Sequence, residues 1–397
     1  MATTNPVSET APTSLRSGAS LLVVAAAMPP QQLESILACL TLSLPADEVL
    51  IATPNGFAAE AHPSLRVVNF PTTNIAWRIT AADFINAYQL AQKNDARGIV
   101  MLGPESGSLN SQGLCDLANA VLGGSADLAM PLYDLPPHAA LVNSAILYPL
   151  TRALFACRMR FPLGIDLGLS LRMAERLAGV AQRFSTLNQE DALLWPVSEA
   201  LVAGYTVDEF AVGPRDLPQP PAELNINAIL ALVTGSLFAD IEAKAAFWQR
   251  PRRLPPARYP IPEVALADGT SDIVSMIDAF RLAYTNLLEI WSLVLPPNTL
   301  LGLKRLSLVD AAAFRMPENL WARIVYDFLI AYRLRTINRG HLLGALIPLY
   351  LAWVAGHINI TASGTSSERH IEAVAAAFEA DKPYLVARWR WPDRFNS

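Results

Sequence analysis

The fold is decided by Leu21-Leu22-Val23-Val24-Ala25-Ala26-Ala27 and by four shorter apolar runs that follow it, Glu48–Thr53, Arg66–Phe70, Gly98–Leu102 and Asp127–Pro131. Each is too short for a helix and rich in β-branched or other apolar residues, so each predicts a strand. Between them, Gln31–Ser43, Thr80–Lys93 and Leu109–Leu122 carry apolar residues at three- and four-residue spacing, which predicts helices. This alternation predicts a Rossmann-like parallel sheet with helices on its faces. Sheets of that kind bind ligands at the carboxyl ends of their strands, so chemistry is expected in the residues that follow Ala27, Thr53, Phe70 and Leu102.

Further along, helices are predicted over Ser144–Cys157 and Ser170–Val180, joined by a loop at Arg158–Gly168. Pro-rich breaks follow at Gly213–Pro221 and Pro251–Pro262. Beyond them Asp272–Trp291, Asn319–Asn338, His341–His357 and Ser367–Arg388 are helical patterns with almost no strand signal. The expected organisation is a disordered leader over 1–18, an α/β domain over 19–222 and a helical subdomain over 223–397. No repeat of solenoid period is present.

Hydrophobic residues make up 52% of the chain and charged residues only 16%, below the roughly 25% of an average globular protein. No uninterrupted apolar run reaches the roughly 18 residues that would mark a membrane span, and Leu342–Gly356 suits a buried core helix. The N-terminus lacks the pattern of a secretory signal. Cys39, Cys115 and Cys157 have neither disulfide-framework nor zinc-site spacing, which fits a reducing compartment. A soluble cytoplasmic protein without a transmembrane segment is therefore expected. A net charge of −5 gives no reason to bind nucleic acid. The basic stretch Arg250–Arg258 is expected to be a solvated linker.

Several enzyme classes drop out. Met28-Pro29-Pro30 stands where a dinucleotide-binding protein needs glycines, and there is no Walker lysine loop, HExxH or GxSxG. Among the histidines, His341 is expected at a helix start and His357 at a helix end, where the macrodipole favours its charged form.

Pro149-Leu150-Thr151-Arg152-Ala153-Leu154-Phe155, then Phe161-Pro162-Leu163-Gly164-Ile165-Asp166-Leu167-Gly168, resembles a bacterial clade of nucleotide-sugar glycosyltransferases. That clade is related to mannosylglycerate and glucosyl-3-phosphoglycerate synthases. Leu320-Trp321-Ala322-Arg323-Ile324-Val325-Tyr326-Asp327-Phe328, Asn338-Arg339-Gly340-His341-Leu342 and Lys382-Pro383-Tyr384-Leu385 extend the resemblance to roughly residues 20–390. It implies an α/β nucleotide-diphospho-sugar transferase (GT-A) domain with a mostly helical C-terminal subdomain. It further implies a nucleotide-diphosphate sugar as donor, a small polar acceptor such as glycerate or phosphoglycerate, and Mg or Mn as metal.

The same resemblance directs attention to individual residues. Asp166 matches an aspartate that would orient the acceptor or assist proton transfer; the alternative is a cap for the helix that starts near Ser170. Where active members carry a metal-binding Asp-x-Asp, this chain has Gly103-Pro104-Glu105, so Glu105 alone is left to hold a metal and the donor's phosphates. Arg78 stands near the family's nucleotide-contacting lysine, and Arg152, Arg158 and Arg160 are further cations for a diphosphate. Leu193 and Leu217 fall at two other expected site positions, with Asp191 and Asp216 close by. The sequence thus supports two readings. One is a glycosyltransferase; the other is an inactive homologue acting as a scaffold, as a homo-oligomer or beside an active paralogue.

Overall fold

The computed structural model describes residues 19–25, 34–36, 38, 40, 41, 45–54, 66–71, 78–218, 225–259 and 272–391. The strands are β1 (Leu21–Ala25), β2 (Val49–Thr53), β3 (Arg66–Asn69), β4 (Gly98–Leu102), β5 (Leu128–Asp134), β6 (Asp166–Ser170) and β7 (Val207–Pro214). They form one seven-stranded sheet in the order β3-β2-β1-β4-β6-β5-β7. β1, β2 and β4 are buried along their whole length, because helices cover both faces and leave no polar side. The chain builds outward from β1 through β2 to β3, then crosses to the other side of β1 for β4. The strand order therefore reverses between β1 and β4, the switch point at whose carboxyl ends open α/β sheets bind ligands.

The sheet is mixed rather than parallel. β6 runs antiparallel to both β4 and β5, in a segment expected to be mostly loop. Pro162, Gly164 and Gly168 hide it in the sequence, yet Gly168 is required there: a Cβ would lie 2.8 Å from the Leu117 carbonyl oxygen. β7, also unpredicted, pairs parallel with β5 and forms the sheet edge.

The helices flanking the sheet are α1 (Ala81–Lys93), α2 (Ser111–Leu122), α3 (Tyr148–Phe155), α4 (Leu171–Ser185) and α5 (Pro196–Ala203). A π-helical turn, Asn143–Leu147, leads into α3. The helical part comprises α6 (Ile226–Ala243), α7 (Ile273–Asn286), α8 (Pro297–Ser307), α9 (Glu318–Leu334), α10 (Arg339–Ala362) and α11 (Ser367–Arg390). It is not a detached body, since one hydrophobic cluster runs from Leu22, Leu50 and Ile99 through Leu150 and Phe155 to Trp321, Phe328 and Trp353. The Trp321 indole N–H donates to the Ala145 carbonyl at 2.8 Å, which fixes α9 against the π-helical turn. The expected leader and the 222/223 boundary fall outside the described residues, as does most of the expected helix at Gln31–Ser43.

Two helices, Ile226–Ala243 and Arg339–Ala362, are long and apolar enough to cross a membrane by length and composition, although neither is an uninterrupted apolar run. In α10 the most apolar stretch is 72% buried among the protein's own helices, as a core helix is. α10 also extends beyond His357, which is therefore inside the helix and fully buried rather than at its end. Burial pushes its pKa down to about 3, so the ring is neutral, contrary to the charged form expected at a terminus.

Candidate active site at the carboxyl edge of the sheet

Asp166 opens β6 opposite Leu102, the last residue of β4, so the reversed strand delivers a carboxylate to the same edge as the carboxyl ends of its neighbours. It is completely buried and fully engaged. The Gly103 N–H donates to Oδ1 at 3.0 Å, the Tyr133 hydroxyl to Oδ2 at 2.8 Å, and Arg215 Nε to Oδ2 at 2.9 Å. Arg215 Nη2 also reaches Oδ1 at 3.3 Å and the Pro104 carbonyl at 2.5 Å, while Nη1 donates to the Asp216 carbonyl at 2.8 Å. Arg215 is as buried as its partner. Burial and the Asp166 charge push the Tyr133 phenol well above its ordinary pKa, so it stays a donor. The helix cap near Ser170 is made by Ser170 itself, whose hydroxyl accepts from the Met173 N–H.

Glu105 follows in the same loop with a left-handed backbone, φ 62°, and is exposed. Its surroundings do not fit a divalent cation. The Asp166 carboxylate, which accepts from Gly103 of the same loop, is already neutralised by a guanidinium, and that guanidinium also takes the Pro104 carbonyl. Among the described residues no three His, Cys, Asp or Glu side chains come together as metal ligands. Of the other two positions weighed, Leu193 is buried in the core and Leu217 lies in the strand-end loop beside Asp216.

Three of the predicted cations converge on α11, and Arg78 stands apart from them. Arg78 lies 3.6 Å from Asp191, which is itself largely exposed. Arg152 is buried on α3 and turns toward α11, pairing with Glu372 at 2.5 Å and with Glu379. Arg160 forms a bidentate pair with Glu368 of α11 at 2.8 and 2.9 Å. Arg158 reaches Glu372 at 3.4 Å and the Pro255 carbonyl at 2.9 Å. Thus Arg152, Arg158 and Arg160 tie the helical part to the sheet domain.

Beside the Asp166 cluster lies a cavity of about 770 Å³, bounded by the end of β5, one face of β7, the first turns of α11 and Pro255–Tyr259. Leu132, Met159, Phe161, Val207 and Ile371 give it apolar walls. The expected linker at Arg250–Arg258 is exposed, but its end closes this space: the Tyr259 hydroxyl donates to the Glu209 carbonyl at 3.0 Å, and Arg258 pairs with Asp208.

Glu209, which sequence reasoning missed, projects from β7 into this lining. Its Oε1 accepts the Arg160 N–H at 2.6 Å, and burial pushes its pKa up to about 7. A carboxyl held there exchanges a proton near neutral pH, as a general acid or base must. Arg215 was missed as well. The only sequence signal for either was the β-branched and aromatic content of Val207–Val212, enough to suggest a strand.

No family model and no curated protein matches the sequence. Three solved structures are similar to part of it. Glucosyl-3-phosphoglycerate synthase from Mycobacterium tuberculosis, in complex with Mn2+, UDP-glucose and phosphoglyceric acid, is 15% identical with a TM-score of 0.35, over 57% of this chain and 80% of that one. A mycobacterial protein is 14% identical, TM-score 0.35, over 57% and 75%. A Desulfovibrio desulfuricans G20 protein ascribed to the nucleotide-diphospho-sugar transferases is 10% identical, TM-score 0.31, over 53% and 87%.

Proposed function

We propose that this chain has the nucleotide-diphospho-sugar transferase (GT-A) architecture and binds a nucleotide-sugar donor at the β1–β4 switch point without a protein-bound metal. In this reading the acceptor occupies the cavity beside β7. The observation that carries it is the topology: the strand order reverses between β1 and β4, the switch point where open α/β sheets bind ligands, and a cavity lies along β5 and β7 of the same sheet. The buried Asp166–Arg215 pair binds Gly103 and Pro104 of the loop after β4, so it fixes that loop rather than a cation. Asp166 is accordingly a positioning residue. Transfer would break the bond between sugar and diphosphate and form one to an acceptor hydroxyl, whose proton Glu209 is placed to take.

The saturation of Asp166 favours a second reading, in which donor and acceptor bind but no transfer follows. Leu282, Leu293 and Leu308, all more than half exposed, are residues that a partner subunit would cover in that case.

Calorimetric titration with UDP, GDP and ADP, each with and without Mn2+, tests the proposal. Binding of one nucleotide with an affinity indifferent to Mn2+ is the expected result. Binding that requires Mn2+ would overturn the metal-independent site, and no binding would overturn the donor site. Release of sugar into a product separates the first reading from the second.

A further inference from the structure

The cavity beside β7 has an unbalanced set of charges. Its three arginines each pair with a carboxylate, Arg160 with Glu368, Arg258 with Asp208, and Arg158 with Glu372, which Arg152 outside the lining also engages. Two carboxyl groups in the lining are left over. Asp134, exposed at the end of β5, has no ion pair among the described residues. Glu209 is 7% exposed and spends Oε1 on the Arg160 N–H, whereas Oε2 has no partner among the described residues. Arg160 Nη1 also lacks a partner, but it is enclosed by protein and out of an anion's reach.

A ligand carrying a carboxylate or phosphate would bring negative charge to walls that already have it in excess and would meet only arginines already paired with carboxylates. A donor group would instead satisfy Glu209, and an apolar body would fill the space between Leu132, Phe161 and Ile371. We propose that the cavity binds a neutral or cationic amphipath, an alcohol or amine on an aromatic or aliphatic body, whose hydroxyl or ammonium group donates to Glu209 Oε2. Calling this ligand the acceptor rests on the function proposed above; its binding does not. The anionic glycerate or phosphoglycerate that the family resemblance implies is the wrong class for this lining.

Tryptamine, tryptophol and indole-3-acetate share one apolar body and differ in charge, so calorimetric titration of the full chain with each, at pH 6 and pH 8, is the test. Tryptamine and tryptophol are expected to bind at least about tenfold more tightly than indole-3-acetate. Because burial holds the Glu209 carboxyl near 7, tryptamine should gain about tenfold in affinity from pH 6 to pH 8. Glu209→Gln should abolish that gain, and Asp134→Asn, at an exposed position, should weaken tryptamine a few-fold while leaving the gain in place. The inference is overturned if indole-3-acetate binds as tightly as tryptamine, if none of the three binds, or if the pH gain survives in Glu209→Gln. Should that variant fail to fold, the order of the three ligands on the unaltered protein and its pH dependence decide. No nucleotide is present, so failure here and failure of the donor site are read separately.

Discussion

Arg215 Nε lies 2.9 Å from Asp166 Oδ2, with both side chains sealed from solvent, and this pair joins the start of the reversed strand β6 to the residue that follows β7. The Gly103 N–H and the Pro104 carbonyl attach to the same pair, so the β4 loop is held by it too. Removing one partner leaves the other charged and buried. Arg215→Met is therefore expected to lower stability by about 3–5 kcal/mol in urea denaturation. The double variant Asp166→Asn with Arg215→Met should recover part of that loss, because it leaves no buried charge. If the double variant were as unstable as the sum of the two single ones, the pairing argument would fail.

Glu209 gives stability a dependence on pH. Its pKa is raised by burial from 4.5 to about 7, so the protonated form is favoured by folding. The contribution is fully present below pH 4.5 and is lost as pH rises through 7. Relative to the unaltered protein, Glu209→Gln should gain on the order of 2–3 kcal/mol between pH 4.5 and pH 8, read from urea midpoints. A constant difference across that range would show that the carboxyl titrates normally.

At the acid end the buried histidines act in the opposite sense. His357 Nδ1 lies 2.7 Å from His370 Nδ1, so one proton is shared there, and His357 Nε2 faces the Ser367 hydroxyl at 3.1 Å. Ser367 donates to the Pro137 carbonyl at 2.8 Å, which assigns the Nε2–H tautomer to His357. Burial lowers the His357 pKa from 6.5 to about 3. The stability it confers is present above pH 6.5 and lost as pH falls toward 3, on the order of 3–5 kcal/mol. His357→Gln should flatten the acid limb of the melting profile between pH 6.5 and pH 4, even if it lowers the plateau.

Gly113 tests the packing of α2 on the sheet edge. A Cβ there would lie 2.5 Å from both the Ala211 carbonyl oxygen and Val212 Cα, backbone atoms that cannot yield without moving β7. Gly113→Ala is expected to destabilise by about 1–3 kcal/mol despite alanine's better helix propensity. Gly179, whose Cβ would meet nothing within 4 Å, is the control: Gly179→Ala should be neutral or stabilising.

β1, β2 and β4 were legible in the sequence because strands covered on both faces are continuous apolar runs, and for Gly98–Leu102 the predicted and observed limits coincide. The helices α9 and α11 were legible from a sustained helical period, and α10 as an apolar run of helix length. β6 was not, since its Gly168 is dictated by neighbours far away in the chain, the Leu117 carbonyl among them. Asp166 was singled out through a motif, but its burial against Arg215 could not be read there, because the partner is brought to it only by the reversal of β6 and the placing of β7 beyond β5.

The sequence by itself therefore determined the class of this protein, an α/β sheet followed by helices, because local periodicity records which faces are buried. Tertiary structure decided the site. Whether a carboxylate is a free ligand, as expected for Glu105, a neutralised tie, as at Asp166, or a buried proton carrier, as at Glu209, depends on the charges and solvent around it. Those are set by strand order, not by neighbours in the chain.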